Sequence, residues 1–145
     1  MFKEQKGVTL IALVITIIVL LILAGVSIAM LTGDNGILTK ASNSNETNSI
    51  AQIKEDVSLA VSEIMANKAD PTYNDNESTL SIKNIATIAA RNDASLTIVT
   101  ENPADTEIPK EGASFDVTVN KITYTVTYTP KTANTVSKID VVKKP

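Results

Sequence analysis

The sequence predicts an α+β fold in which a long N-terminal helix continues into an amphipathic helix packed on an antiparallel sheet of about four strands. Three observations predict it. Residues 8–31 form an uncharged apolar run, residues 50–64 carry apolar side chains at helical spacing, and apolar and polar side chains alternate from Ser95 onward. Four segments follow: a leader over residues 1–7, an apolar helix over 8–31, a kinked or flexible helical segment over 32–49, and a globular domain over 50–145.

The apolar run is long enough to cross a membrane. From Val8 to Leu31 it contains no charge, and as a helix it reaches about 36 Å, which exceeds a hydrocarbon core of about 30 Å. Lys3 and Lys6 lie on its N-terminal side, whereas Asp34 is the first charge beyond it. The positive-inside tendency therefore predicts a cytoplasmic N-terminus and an outer C-terminal domain.

Two other interpretations of the run remain open. One is a secretory signal peptide cut after Ala29, because Ser27 and Ala29 are small residues at suitable places. The apolar region of such a peptide is usually about 7 to 15 residues long, which is shorter than this run. The other is a single-pass anchor that is never processed.

The apolar run ends at glycines. Gly33 and Gly36 flank an Asp-Asn pair, and each glycine weakens a helix by about 1 kcal/mol relative to alanine. We expect these two glycines to act as a hinge, with a kink or a short unwound stretch over residues 32–36 and helix from Ile37. Residues 41–49 are polar and poor helix formers, so they form either a solvated helix or a linker.

Helical periodicity is clear again from Ile50 to Ile64. The apolar side chains recur every three or four residues and form one stripe, which predicts a core face packed on a sheet. The helix should end before Pro71, because the residue that precedes a proline disfavours helical backbone. The apolar positions of the stripe are Ile50, Ile53, Val57, Ala60, Val61 and Ile64.

A polar loop and a short helix should follow. Residues 70–79 are rich in carboxylates and amides, which are oxygen ligands that calcium prefers. They lack the ordered spacing and the glycine of a calcium loop, so a solvated loop is the favoured interpretation and no metal site is expected. Apolar residues from Leu80 to Ala90 then indicate a second helix, with Ser78 or Thr79 as its N-cap.

Four strands are predicted after Ser95. The first lies around residues 96–98, and the next two are Phe115 to Val119 and Ile122 to Thr129. Asn120-Lys121 between them predicts a tight hairpin turn, since Asn accepts positive φ. A last strand is expected at about residues 136–142. One face of the sheet is apolar and the other is rich in threonine, as in a sheet covered on one side.

Composition excludes several classes of function. The chain has no His, Cys or Trp, which removes Ser-His and Cys-His nucleophile pairs and thiolate or imidazole zinc sites. We expect no enzyme activity and no cofactor. The net charge of −3 also argues against a sequence-independent nucleic-acid binder, which needs a basic face.

The N-terminus, Lys6-Gly7-Val8-Thr9-Leu10 followed by the apolar run, resembles the cleavage and methylation segment of the type IV pilin and pseudopilin family. The resemblance covers about residues 6–29. It implies that a prepilin peptidase cuts between Gly7 and Val8 and methylates the new amine of Val8. It also implies that the apolar helix serves first as a membrane anchor and later as the core of a filament. The lack of a cysteine pair resembles Gram-positive or minor members.

One residue departs from the family pattern. The fifth position after the glycine, usually Glu, is Ala12, so the charge pairing that the family uses in assembly is missing. Thr9 and Thr16 are the polar side chains nearby, and they supply hydroxyls without charge. Ala24 and Gly25 offer small surfaces where helices could approach closely. These five residues are the candidate assembly positions.

The resemblance implies a structural subunit, major or minor, of a type IV pilus-like surface filament. Its partners would be other copies or related subunits, the prepilin peptidase, the pilus assembly machinery and the membrane, with no nucleic acid. The precursor would lie in the bacterial cytoplasmic membrane and the assembled protein outside the cell. The alternative is a membrane-anchored extracellular binding module that never polymerises. Adhesion, motility, DNA uptake and secretion all remain open as roles.

Overall fold

A computed structural model describes residues 4–73, 76–99 and 103–145. The chain divides into two compact units, residues 1–46 and residues 47–145, and helix α2 contributes to both. The described elements, in chain order, are α1 (Glu4–Thr32), α2 (Ile37–Ala69), a short 3-10 helix (Asn76–Ser78), α3 (Ile82–Asn92), β1 (Thr97–Ile98), β2 (Ala113–Val119), β3 (Ile122–Thr129) and β4 (Lys138–Lys143).

The predicted break between the first two helices is present. Helix α1 ends at Thr32 and α2 begins at Ile37, so the unwound stretch covers the two hinge glycines and the residues between them. A tight turn crosses it, in which the Gly36 N–H donates to the Gly33 carbonyl at 2.6 Å. The Thr39 hydroxyl donates to the same carbonyl at 3.1 Å, which gives the start of α2 a side-chain link back to the turn.

The polar stretch of residues 41–49 is helical and belongs to α2. Its propensity is poor, but helix is already formed on either side of it, and extending a helix is far less costly than starting one. Of the two interpretations that the sequence left open, a solvated helix is therefore the one that the structure shows.

The core of the second unit lies between its helices and one face of its sheet. The stripe on α2 is buried as predicted, with Ile53, Val57, Ala60 and Ile64 fully inaccessible. These residues share a single buried cluster with α3 and with the inward side chains of β2 and β3. Burial of such side chains contributes about 1.5 to 3 kcal/mol each.

Helix α3 is present, but its predicted cap was wrong. Ser81 is the N-cap, and its hydroxyl accepts a hydrogen bond from the Asn84 backbone N–H at 3.1 Å. The helix starts later than expected because Ser81 is extended and forms a β-bridge with Glu107, while the Leu80 carbonyl accepts from the Ile108 N–H at 2.8 Å. The Leu80 side chain thereby enters the core.

The sheet has the order β1-β2-β3-β4, and every neighbouring pair is antiparallel. Its register places Val117 opposite Tyr124 on the inner face and Thr118 opposite Thr123 on the outer face. Two cross-strand pairs of outer hydroxyls hydrogen bond to each other, and Asp116 accepts from Thr125 at 2.7 Å and from Lys144 at 2.6 Å. The threonine-rich outer face that the sequence predicts is thus present and internally hydrogen bonded.

The hairpin turn between β2 and β3 falls where predicted. Asn120 and Lys121 both have positive φ, at 52° and 67°, as a two-residue turn of the favoured twist requires. The last strand begins two residues later than expected, at Lys138, because a polar turn closed by Thr132 and Thr135 precedes it. Val136 is consequently 78% exposed.

Candidate membrane-anchoring and assembly helix

The surface of α1 is apolar and uncovered. Every large apolar side chain from Leu10 to Leu31 is exposed, by 46% for Leu31 and by 68% for Leu21. A water-soluble domain does not normally expose a continuous apolar surface of this extent, so such a surface indicates contact with a membrane or with another protein. Among the described residues, α1 supplies the one helical stretch long and apolar enough to cross a membrane.

The predicted cleavage position lies within this helix. The backbones of Gly7 and Val8 are helical, since α1 begins at Glu4. The predicted cut would therefore fall inside the first turns of α1. Lys6 precedes Gly7 in the same helix, while Lys3 lies outside the described residues.

Three of the candidate assembly residues share one face of α1. Thr9, Ala12 and Thr16 are spaced by three and four residues, which places them on adjacent turns of the same side. All three are exposed. The Thr16 hydroxyl donates to the Leu13 carbonyl at 2.8 Å, so it is satisfied within its own helix and presents a methyl group and a short side chain to a neighbour.

The other two candidates lie farther along the helix. Ala24 is fifteen residues beyond Thr9 and falls about 60° from it around the axis, whereas Gly25 falls about 160° away. No atom lies within 4 Å of the position that a Cβ would take on Gly25. Thr9, Ala12, Thr16 and Ala24 could thus contact one partner helix, while Gly25 belongs to a different side.

The break after α1 borders an open groove of about 690 Å³. One side is lined by Val26, Ala29 and Met30 of α1, and the other by the turn over residues 33–36 and by Ile37. Both predicted hinge glycines, Gly33 and Gly36, therefore line this groove.

Sequence reasoning missed two exposed apolar residues just beyond the break. Ile37 is 72% exposed and Leu38 is 56% exposed. A signal for them is present in the sequence: they are two large apolar residues isolated between the glycine turn and the polar stretch of residues 39–49.

The loop that could have offered calcium ligands forms an ordinary turn in its described part. Asp70 accepts hydrogen bonds from the Thr72 N–H at 2.8 Å and from the Thr72 hydroxyl at 2.6 Å, and these bonds lower the pKa of Asp70. Asn74 and Asp75 lie outside the described residues. Among the residues that the structure describes, no group of three or more acidic side chains is placed to hold a metal ion.

Two carboxyl groups meet where α2 passes the end of α3. Asp93 accepts from Gln52 Nε2 at 2.6 Å and from the Ser95 N–H and hydroxyl, both at 2.8 Å. Asp56 lies within hydrogen-bonding reach of Asp93, and its Oδ2 is buried without a donor among the described residues. Burial, followed by the charges of Asp93 and Glu55, raises the pKa of Asp56.

Comparison with known proteins found no matching family model, no matching curated protein and no matching solved structure. The family resemblance thus depends on the N-terminal residues, and the exposed surface of α1 is the structural observation that bears on function.

Proposed function

We propose that the chain is a structural subunit of a type IV pilus-like filament, cut after Gly7, anchored in the membrane by its apolar helix and then assembled through the same helix. The uncovered apolar surface of α1, continuous from Leu10 to Leu31, carries this proposal. The fully packed core of the second unit supports it, because that unit needs nothing from α1 to bury its apolar side chains.

Assembly would be driven by burial of apolar surface. Each Leu, Ile or Val moved from water into contact with other helices contributes about 1.5 to 3 kcal/mol. The exposed positions of α1 together would supply a gross gain on the order of tens of kcal/mol, before the cost of ordering the subunits is subtracted. A helix extracted from the membrane cannot stay exposed in water at that cost, so it must pack against its neighbours.

Because position 12 is alanine and carries no acid, the register between neighbouring subunits would be set by side-chain packing and not by charge pairing. Thr9, Ala12 and Thr16 form a face of small side chains on which a neighbouring helix can lie close. Ala24 extends that face by two turns. We infer that this face sets the helix–helix distance in the filament.

Intact-mass measurement of the protein from its host membrane tests the proposal. The expected mass begins at N-methylated Val8, and a variant with Gly7→Leu should keep the mass of the full precursor. Gly25→Ala serves as the matched control, since it changes a glycine of the same helix that lies away from the cut. A mature chain beginning at Met30 would indicate an ordinary signal peptide and would overturn the proposal.

The second candidate is an anchored binding module that does not polymerise, and the uncharged Ala12 position favours it. Shearing of cells separates the two functions. Filaments that contain the processed chain support a pilus subunit, whereas processed chains found only as detergent-soluble monomers support the anchored module.

A further inference from the structure

The apolar surface of the first unit does not stop at the end of α1. After the turn over residues 33–36, Ile37 and Leu38 are again exposed, and the following residues up to 49 are small or polar. These two side chains therefore form a short apolar extension that is separated from the main run by one turn. No described residue of the first unit covers them, since each stays more than half exposed.

The length of α1 sets the depth at which this extension lies once the helix spans a bilayer. From Val8 to Thr32 the helix rises about 37 Å, whereas the hydrocarbon core is about 30 Å thick and the whole bilayer about 40 to 45 Å. The turn and the first residues of α2 therefore fall in the outer headgroup layer. An average tilt of about 20° brings them slightly deeper.

The groove at the break has the chemistry of that layer. Its wall of Val26, Ala29 and Met30 is apolar, and Asp34 and Asn35 lie at the turn. An acyl chain could lie along the wall while a headgroup meets the polar turn.

We propose that the turn over residues 33–36 and the first turn of α2 form an interfacial anchor for outer-leaflet phospholipid, with Ile37 and Leu38 inserted at the boundary between headgroups and acyl chains. This anchor fixes how far α1 can slide across the membrane before extraction. The inference depends on membrane insertion as in the proposed function, but it does not depend on filament formation.

The absence of tryptophan from the chain allows a direct test by single-tryptophan variants of the full chain. Leu38→Trp reports on the anchor, and Ile37→Trp is the second variant there. Leu20→Trp reports on the middle of the span. Leu59→Trp is the matched control, because Leu59 is also an exposed leucine of α2, at 52% against 56% for Leu38.

Each variant is reconstituted in vesicles of phosphatidylcholine and phosphatidylglycerol. The acyl chains of these lipids carry bromine either near the headgroups or near the chain ends. We expect emission of Leu38→Trp and Ile37→Trp at shorter wavelength than that of Leu59→Trp. Bromine near the headgroups should quench both variants about twofold more strongly than bromine near the chain ends, because the side chains are expected to lie about 5 to 10 Å into the interface. Leu20→Trp should show the opposite preference.

Three results would overturn the proposal, and each has a different consequence for membrane insertion and for the proposed function. Emission and quenching of Leu38→Trp equal to those of Leu59→Trp, with Leu20→Trp quenched by deep bromines, would reject the anchor and leave the span intact. A short-wavelength emission that bromine does not quench, and that depends on protein density, would assign the surface to a helix of a second copy. Absence of quenching in Leu20→Trp would reject membrane insertion and the proposed function with it.

Discussion

At the scale of single residues, the carboxyl groups of Asp56 and Asp93 are two acids placed within hydrogen-bonding reach of each other. Asp93 accepts three hydrogen bonds, from the Ser95 N–H, the Ser95 hydroxyl and Gln52, and these lower its pKa, the Ser95 bonds most strongly. The Asp56 Oδ2 is buried without a donor among the described residues, and the ionised form of Asp56 is disfavoured by burial, then by the neighbouring charges of Asp93 and Glu55, and by its hydrogen bond to Asp93. At neutral pH the ionised Asp56 therefore costs stability.

The direction of the pH dependence follows from the raised pKa of Asp56. A group whose pKa is higher in the folded than in the unfolded state stabilises the fold when protonated. Its contribution is fully present below the ordinary pKa of 3.8 and is lost as the pH rises through the folded pKa. Asp93 and Asp116, whose pKa values are lowered, act in the opposite sense and lose stability as the pH falls.

Replacement of Asp56 by Asn should therefore stabilise the protein at neutral pH. The amide keeps a donor that can reach Asp93 and removes the like charge, and we expect the free energy of unfolding to rise by about 1 kcal/mol. Urea unfolding of the full chain in detergent, at neutral pH and near pH 4, measures it. The gain should shrink at the lower pH.

Glu55→Gln is the matched control for this variant, since it removes the adjacent acid from an exposed position. Its effect should be much smaller at both pH values. Equal gains for the two variants would mean that general charge reduction, and not the buried pair, is responsible.

At the scale of elements, the break between α1 and α2 depends on close backbone approach at its two glycines, Gly33 and Gly36. A Cβ on Gly36 would lie 2.6 Å from the Leu31 carbonyl oxygen and 2.7 Å from that of Gly33, distances that only a shift of the backbone can relieve. Alanine also favours helix over glycine by about 1 kcal/mol. Gly36→Ala should thus open the turn and favour a continuous helix.

Because the chain has no cysteine, spin labels on Leu23→Cys and Lys40→Cys can report on the break without background. Gly36→Ala should lengthen the mean distance between the two labels relative to the parent. Gly25→Ala, where nothing lies within 4 Å of the added Cβ, should leave the distance unchanged. An unchanged distance in Gly36→Ala would show that the turn does not need glycine.

Elements defined by local pattern agree well with sequence reasoning. The α2 stripe, the β2–β3 hairpin and the two faces of the sheet follow from spacing and turn chemistry, which act between residues near in the chain. The start of α3 does not follow from local spacing, because it is set by the hydrogen bond between the Leu80 carbonyl and the Ile108 N–H. Likewise, Gly112 has a φ of 93° and lies close to the Tyr128 carbonyl. No local sequence pattern predicts this contact.

At the scale of the whole molecule, the chain combines one packed unit with one exposed apolar helix. This combination predicts that the chain assembles with other subunits through that helix. Because the apolar run of residues 8–31 contains no charge, an acid placed there should cost membrane insertion about 2.5 to 3.5 kcal/mol. We expect Ala12→Glu to lower the yield of sheared filaments as strongly as Leu13→Glu, which places the same acid on another side of the helix.

Quantification of sheared filaments by immunoblot, alongside the membrane fraction, checks this expectation. A rise in filament yield for Ala12→Glu, with a fall for Leu13→Glu, would show that an acid at position 12 can pair with the terminal amine of a neighbour. Assembly by packing alone would then be wrong.

Some features of the molecule are determined by residues near one another in the sequence, and others by contacts between distant segments. An uncharged apolar run, a glycine pair and a change from helical to alternating spacing are enough to predict the spanning helix, the break and the α+β domain, because each reflects contacts between near neighbours or transfer from water. The cap of α3 and the Asp56–Asp93 pair could not be predicted that way. They depend on which distant segments come to lie beside these residues, and that is settled only when the chain has folded.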